Sequence, residues 1–121
     1  MKLISFSETW LQILARTKTK TVTRRIGCDW KPGERRQAVQ KMRGLKKGQK
    51  VVRGPVLECV ANEEQRLDLV MCSPVYYGIH EMKREGFPGM DPKDFVQMVC
   101  RLNRCKADQI VNRIEFKYID A

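Results

Sequence analysis

Between Thr17 and Arg24 the chain alternates strictly: Thr17, Thr19, Thr21 and Thr23 on one parity, Lys18, Lys20, Val22 and Arg24 on the other. A period of two specifies extended backbone, with cations on one face and hydroxyls on the opposite one. Val22 is the only apolar residue of the run, so burial against a core does not account for the pattern. Two readings stand. The run is a solvated edge strand, where lysine discourages edge-to-edge pairing, or it delivers cations to a ligand. The stretch ahead of it is helical: Ser7 is placed to cap a helix over Glu8 to Ala15, with Trp10, Ile13 and Leu14 on one face.

The rest of the chain is mostly strand with short connections. Leu3 to Phe6 is a short apolar strand. Lys31-Pro32-Gly33-Glu34 has proline and glycine where a type II turn needs them and leads into a strand from Arg35 to Gln40. Lys41 to Lys50 mixes two glycines with cations, the composition of a basic hairpin tip. Val56 to Ala61 alternates as a strand with Leu57, Cys59 and Ala61 on one side. Glu63 to Cys72 fits a turn of helix and a short strand equally, and Ser73-Pro74 ends it. Tyr76 to Glu85 has helical composition, with Ile79, Met82 and Lys83 on one side and Gly86 as its stop. Asp91-Pro92 starts a second helix, whose stripe Phe95, Met98, Val99, Leu102 faces a core. Ile110 to Ile119 is a closing strand, with Ile110, Ile114, Phe116 and Tyr118 on one side. Strands outnumber helices and no linker or repeat interrupts them, so residues 1–121 make a single α+β domain on a curved or barrel-like sheet.

Charge narrows the partners. Of 24 Lys and Arg, 13 lie between Arg16 and Lys50, where Asp29 and Glu34 are the only acids. That segment carries +11 while the rest of the chain is close to neutral, a field that attracts polyanions. No apolar run approaches the roughly 20 residues that span a bilayer, and the first residues lack a signal-peptide core, which points to the cytoplasm and away from a membrane partner. Five cysteines without a Cys-x-x-Cys pair and a single histidine, His80, argue against a zinc site or a disulfide framework. No metal or cofactor is expected, and Cys28 is the cysteine expected at the surface.

Several stretches together resemble the ASCH domains, a branch of the PUA-like β-barrel superfamily, and in particular their compact single-domain phage and prophage members. These are Ile13-Leu14-Ala15 followed by Lys20-Thr21-Val22-Thr23-Arg24-Arg25, then Lys31-Pro32-Gly33-Glu34, Arg84-Glu85-Gly86-Phe87-Pro88-Gly89-Met90 and Arg113-Ile114-Glu115-Phe116. The resemblance implies a small β-barrel with flanking helices that binds RNA or modified nucleosides. Some members are assigned ribonuclease activity, and one branch hydrolyses the acetyl amide of N4-acetylcytidine with a Lys-x-x-Thr pair and a distant glutamate. Matched onto this chain, those residues are Lys20, Thr23 and Glu85. The longer connection Arg16-Thr17-Lys18-Thr19 and the basic loop from Lys41 to Lys50 depart from the family pattern.

Amide hydrolysis needs a base for water, a donor for the oxyanion and an acid for the leaving amine, roles open to Lys20, Thr23 and Glu85. Residues three apart on a regular strand point to opposite faces, so Lys20 and Thr23 converge only if the strand is irregular near Lys20 and Thr21. Glu85 at a helix C-terminus opposes the helix dipole. It serves a site, or it pairs at the surface with Lys83 or Arg84. For RNA, Lys18, Arg24, Arg25, Lys41, Arg43, Lys46 and Lys47 supply phosphate contacts, and Trp30, Phe87 and Tyr76 are the aromatic candidates for base stacking. Three functions follow: an RNA-binding or RNA-processing domain, a nucleoside amidohydrolase, and a protein-interaction module without catalysis.

Overall fold

The computed structural model describes residues 1–42, 44–72 and 74–119. Five strands and three helices run β1 (Leu3–Ser5), α1 (Trp10–Leu14), β2 (Val22–Arg25), β3 (Arg35–Val39), β4 (Arg53–Arg66), α2 (Val75–Glu85), α3 (Pro92–Asn103) and β5 (Ile110–Ile119), with a 3-10 turn at Leu67–Met71 after β4. The architecture is α+β on one mixed sheet of order β1-β3-β4-β5-β2. β1 lies parallel to β3 and every other pair is antiparallel. No helix among the described residues is long and apolar enough to cross a membrane.

The sheet is not closed into a barrel: β1 and β2 are its two edges. Four spacings of about 4.8 Å would hold the edges of a flat sheet roughly 19 Å apart. Yet the Arg25 guanidinium on β2 donates to the Ser5 carbonyl on β1, so the sheet is strongly curled. Two bulges help to bend it. One lies between Gln37 and Val39, opposite Pro55, whose missing N–H removes no ladder bond there. The other, between Cys59 and Ala61, shifts the parity of β4: Leu57 and Cys59 face inward before it, whereas Asn62 pairs with inward-facing Ile114 after it.

Each face of the curl packs its own core. The concave face closes over Ile4, Phe6, Trp10, Ile13, Trp30, Ala38, Leu57, Cys59, Ile114 and Phe116. Trp30 is stacked near Phe116, at 5.9 Å between centroids, and its indole donates to the Glu34 carbonyl. The other face, at the far end of β4 and β5, packs Val111 against Leu67, Val70, Met82, Phe95, Val96 and Val99 from the 3-10 turn, α2 and α3.

Several expected boundaries move. The regular strand expected over Thr17 to Arg24 begins only at Val22, because residues 16–21 form an irregular connection in which Lys18 takes a left-handed φ of 50°. α1 is shorter than Glu8–Ala15 and starts after Thr9, whose side chain makes no capping bond; Leu14 turns outward. β4 absorbs the expected Val56–Ala61 strand and runs into the ambiguous segment, which finishes as the 3-10 turn. On α2 the buried face is Gly78, Glu81, Met82 and Glu85, with Ile79 and Lys83 outside. On α3, Val96 takes the buried place expected for Leu102. On β5, Ile110 is exposed and Val111 buried. The turn at Lys31–Glu34 forms as expected, with Gly33 at φ 85° and Glu34 N–H bonded to the Lys31 carbonyl. So does the Asp91 cap, which accepts from the Lys93 N–H ahead of Pro92. Cys72 is the exposed cysteine; Cys28 is half-buried.

Candidate functional site

Lys20 lies just ahead of β2, where the chain runs under the C-terminus of α2. Thr21 N–H donates to the Arg84 carbonyl at 2.8 Å, and the Lys20 ammonium donates to the Glu85 and Val22 carbonyls at 2.5 and 2.9 Å. α2 must end there. Gly86, at φ 98°, provides the left-handed stop, and the Phe87 N–H returns to the Met82 carbonyl. A Cβ at Gly86 would sit 3.3 Å from both Lys20 Cδ and Thr9 Cγ2, so this glycine also lets the three segments close together.

Because β2 pairs with β5, Thr23 and Arg25 share the concave side with Ile114, while Arg24 lies on the helix side beside Arg113. Two arginines directly opposite each other repel. Glu81 lies between them, accepting from Arg24 at 2.5 Å and from Arg113 through both oxygens at 2.6 and 3.0 Å. Glu85, one turn further along α2, accepts from Arg24 at 2.8 Å and lies 3.6 Å from the Lys20 ammonium. Gln65 also accepts from Arg24 Nε and Nη2, and the Tyr77 hydroxyl from Nη2. No buried side-chain polar atom among the described residues is left without a partner.

Proton affinities follow from this packing. Burial dominates at Lys20 and, with Arg25 and Arg24 nearby, outweighs the Glu85 carboxylate, pulling the ammonium down to about 8. Burial alone would raise Glu81, but the Arg113 and Arg24 hydrogen bonds hold it at about 2. Burial would likewise lower Arg24; Glu85 and Glu81 reverse that and raise it. Burial lowers Arg25.

A cleft of about 330 Å³ opens onto this group, lined by Lys20, Thr23, Arg24, Arg25 and Glu85 on one side and by Phe87, Met98, Val99 and Leu102 on the other. Lys20, Thr23 and Glu85 thus come from separate segments to one concavity. Glu85 is buried with Arg24 and Lys20, not paired at the surface with Lys83 or Arg84. The Thr23 hydroxyl accepts from Arg25 Nε at 2.9 Å, which leaves its own proton to donate.

The cations expected to contact phosphate divide. Arg24 has a fully covered side chain with each of its three nitrogens bonded, so it stiffens the wall and reaches no phosphate. Lys18 lies over the Tyr118 ring at 4.8 Å. Arg25 faces the cleft. Lys41, Lys46 and Lys47 are exposed on the β3–β4 loop, whose stem adjoins the cleft because Phe6 N–H donates to the Val39 carbonyl. Arg43 lies outside the described residues. Of the aromatics, Trp30 is wholly in the core, Tyr76 is exposed at the opposite end of α2 from Glu85, and Phe87 lines the cleft.

Comparison with known proteins finds no match. No family model, no curated protein and no solved structure is significantly similar to this chain.

The residues missed from the sequence are Glu81 and Arg113. Both sit in segments whose apolar pattern assigned them to the outside. The available signal was spacing: Glu81 and Glu85 stand four apart on one helix, on the same face, in a chain with surplus cations.

Proposed function

We propose that this protein is an ASCH-type, PUA-like domain that binds RNA and seats one unstacked nucleotide in the cleft at Lys20, Thr23 and Glu85. The observation that carries this reading is the meeting of an ammonium, a hydroxyl and a carboxylate at one end of a cleft whose other wall is apolar. Planar bases are recognised by such pairing of an apolar wall with a few fixed polar groups. Lys41, Lys46 and Lys47 on the adjoining loop and Arg25 at the cleft supply positive potential for the flanking phosphates. A neutral nucleoside needs no field of +11; a polynucleotide does.

A second reading is favoured by the lowered proton affinity of Lys20. In the hydrolysis of an N4-acetylcytidine amide, neutral Lys20 takes a proton from water as the oxygen attacks the acetyl carbonyl. Thr23 donates to the oxyanion. The proton then passes by way of Glu85 to the leaving amine, breaking the C–N bond. The two readings share one pocket, and an RNA-processing enzyme would combine them.

The test incubates the protein with labelled single-stranded RNA and with N4-acetylcytidine at low and high salt, beside Lys20→Ala. Salt-sensitive binding without turnover establishes the RNA reader, and turnover lost in Lys20→Ala establishes the hydrolase. No effect in either assay overturns both and leaves a protein-interaction module.

A further inference from the structure

Resting on the reading of the cleft as a nucleotide pocket, we infer that Arg25 forms an anion-binding corner within it, which receives a phosphate of the seated nucleotide. Arg24, Arg25 and Arg36 are three covered or half-covered arginines, and two of them are matched by acids. Arg24 has Glu81 and Glu85, and Arg36 has Asp29 and Glu34. Arg25 has none: among the described residues no carboxylate lies within 4.0 Å of it.

It is nonetheless fixed in place. Nε donates to the Thr23 hydroxyl, Nη2 donates to the Ser5 carbonyl, and the guanidinium lies 4.9 Å from the Phe6 ring centroid. Nη1 has no hydrogen-bond partner among the described residues, in a side chain that lines the cleft. Ser7 and Thr9, two hydroxyl-bearing residues, also line the cleft. The Thr9 side chain makes no bond to α1.

The charges that face the cleft are Lys20, Arg24 and Arg25 against Glu8 and Glu85, a surplus of one positive charge while Lys20 is protonated. A half-buried cation held in one geometry, with an open N–H in a cleft that hydroxyl-bearing residues also line, is arranged to receive an oxyanion through charge-assisted hydrogen bonds. With the apolar wall of Phe87, Met98, Val99 and Leu102 opposite, the fitting ligand is a planar base carrying a phosphate: a nucleoside monophosphate, or the phosphorylated nucleotide of an RNA chain. A neutral nucleoside leaves Arg25 unanswered.

Calorimetric titration of the wild-type protein with cytidine, its monophosphates and short RNAs with and without a terminal phosphate tests this. The phosphorylated ligand is expected to bind tighter by roughly tenfold or more, the effect of one charge-assisted hydrogen-bonded contact. Arg25→Gln should abolish that preference. Lys93→Gln, which removes the same charge at the start of α3, should retain it. A gain with mononucleotides alone points to a free nucleotide, and a gain with oligonucleotides to an RNA chain; either supports the corner. Arg25 also ties β2 to β1, so Thr9→Val provides a second variant, expected to weaken the preference without removing the tie. Equal affinity for cytidine and its monophosphates would overturn the anion corner while leaving the nucleotide pocket standing. So would a preference that survives in folded Arg25→Gln. Absence of binding by every ligand would overturn both.

Discussion

Arg24 and Arg113 face each other across β2 and β5, and the fold tolerates this only because α2 lowers Glu81 between them. Removing one partner of a buried ion pair leaves charge without compensation, at about 3 to 5 kcal/mol. Glu81→Gln should therefore lower the unfolding free energy by about that amount in urea titrations. A loss near zero would mean that the arginines find water instead. The same carboxylate sets the acid limb of stability. Its folded proton affinity, about 2, lies below the ordinary 4.5. Its contribution is present in full above pH about 4.5 and drains away as pH falls toward 2. Glu81→Gln should flatten that part of the melting-temperature profile. Lys20 behaves in the opposite sense to a surface lysine. Its folded value of about 8 lies below 10.5, so the unfolded chain holds the extra proton between these values and stability gained at this site rises with pH across that window. If the protein hydrolyses an acetylated nucleoside, its rate should climb through pH about 8 in the wild type. A rate independent of pH there would remove Lys20 as the base.

At the level of elements, the cleft depends on how closely α2 approaches the 3-10 turn. A Cβ at Gly78 would lie 2.1 Å from the Val70 carbonyl oxygen, backbone that cannot step aside cheaply, and 2.8 Å from Cγ of the Pro92 ring. Gly78→Ala should cost about 1 to 3 kcal/mol. Because α2 carries Glu85 and α3 carries Leu102, it should weaken ligand binding in parallel, measurable by thermal melts and titration on one sample. Much of this scaffold was legible in the sequence. Local chemistry determines the type II turn at Pro32-Gly33, the Asp91-Pro92 start, the Gly86 stop and the alternation of Leu57 and Cys59. What was not legible depends on partners distant in sequence. The threonine run reads as eight residues of strand, yet tertiary bonds to the end of α2 hold its first half irregular. That irregularity brings Lys20 to Glu85, as convergence of Lys20 with Thr23 required. Glu81 on α2 escaped because a charged residue reads as solvated until a cation from another strand is known to meet it. The parity switch in β4 arises from a bulge that no residue type marks.

The molecule as a whole divides its cations between structure and surface. Lys20, Arg24 and Arg36 are buried, so the +11 segment presents its remaining charge through exposed residues such as Lys41, Lys46 and Lys47. If these three each neutralise a phosphate, replacing them by glutamine should reduce the slope of log affinity against log salt for single-stranded RNA by about 2, at roughly 0.7 per contact. An unchanged slope would place the RNA elsewhere. On the proposed reading a ligand sits in the cleft between the end of α2 and β2. Amide and side-chain NMR spectra recorded while short single-stranded RNA is titrated in test it most directly. Shifts are expected to concentrate at Lys20, Thr23, Arg25, Glu85 and Phe87 and to continue into the loop at Lys41. Saturating RNA that leaves those five residues unmoved, or moves only the exposed loop, would contradict it.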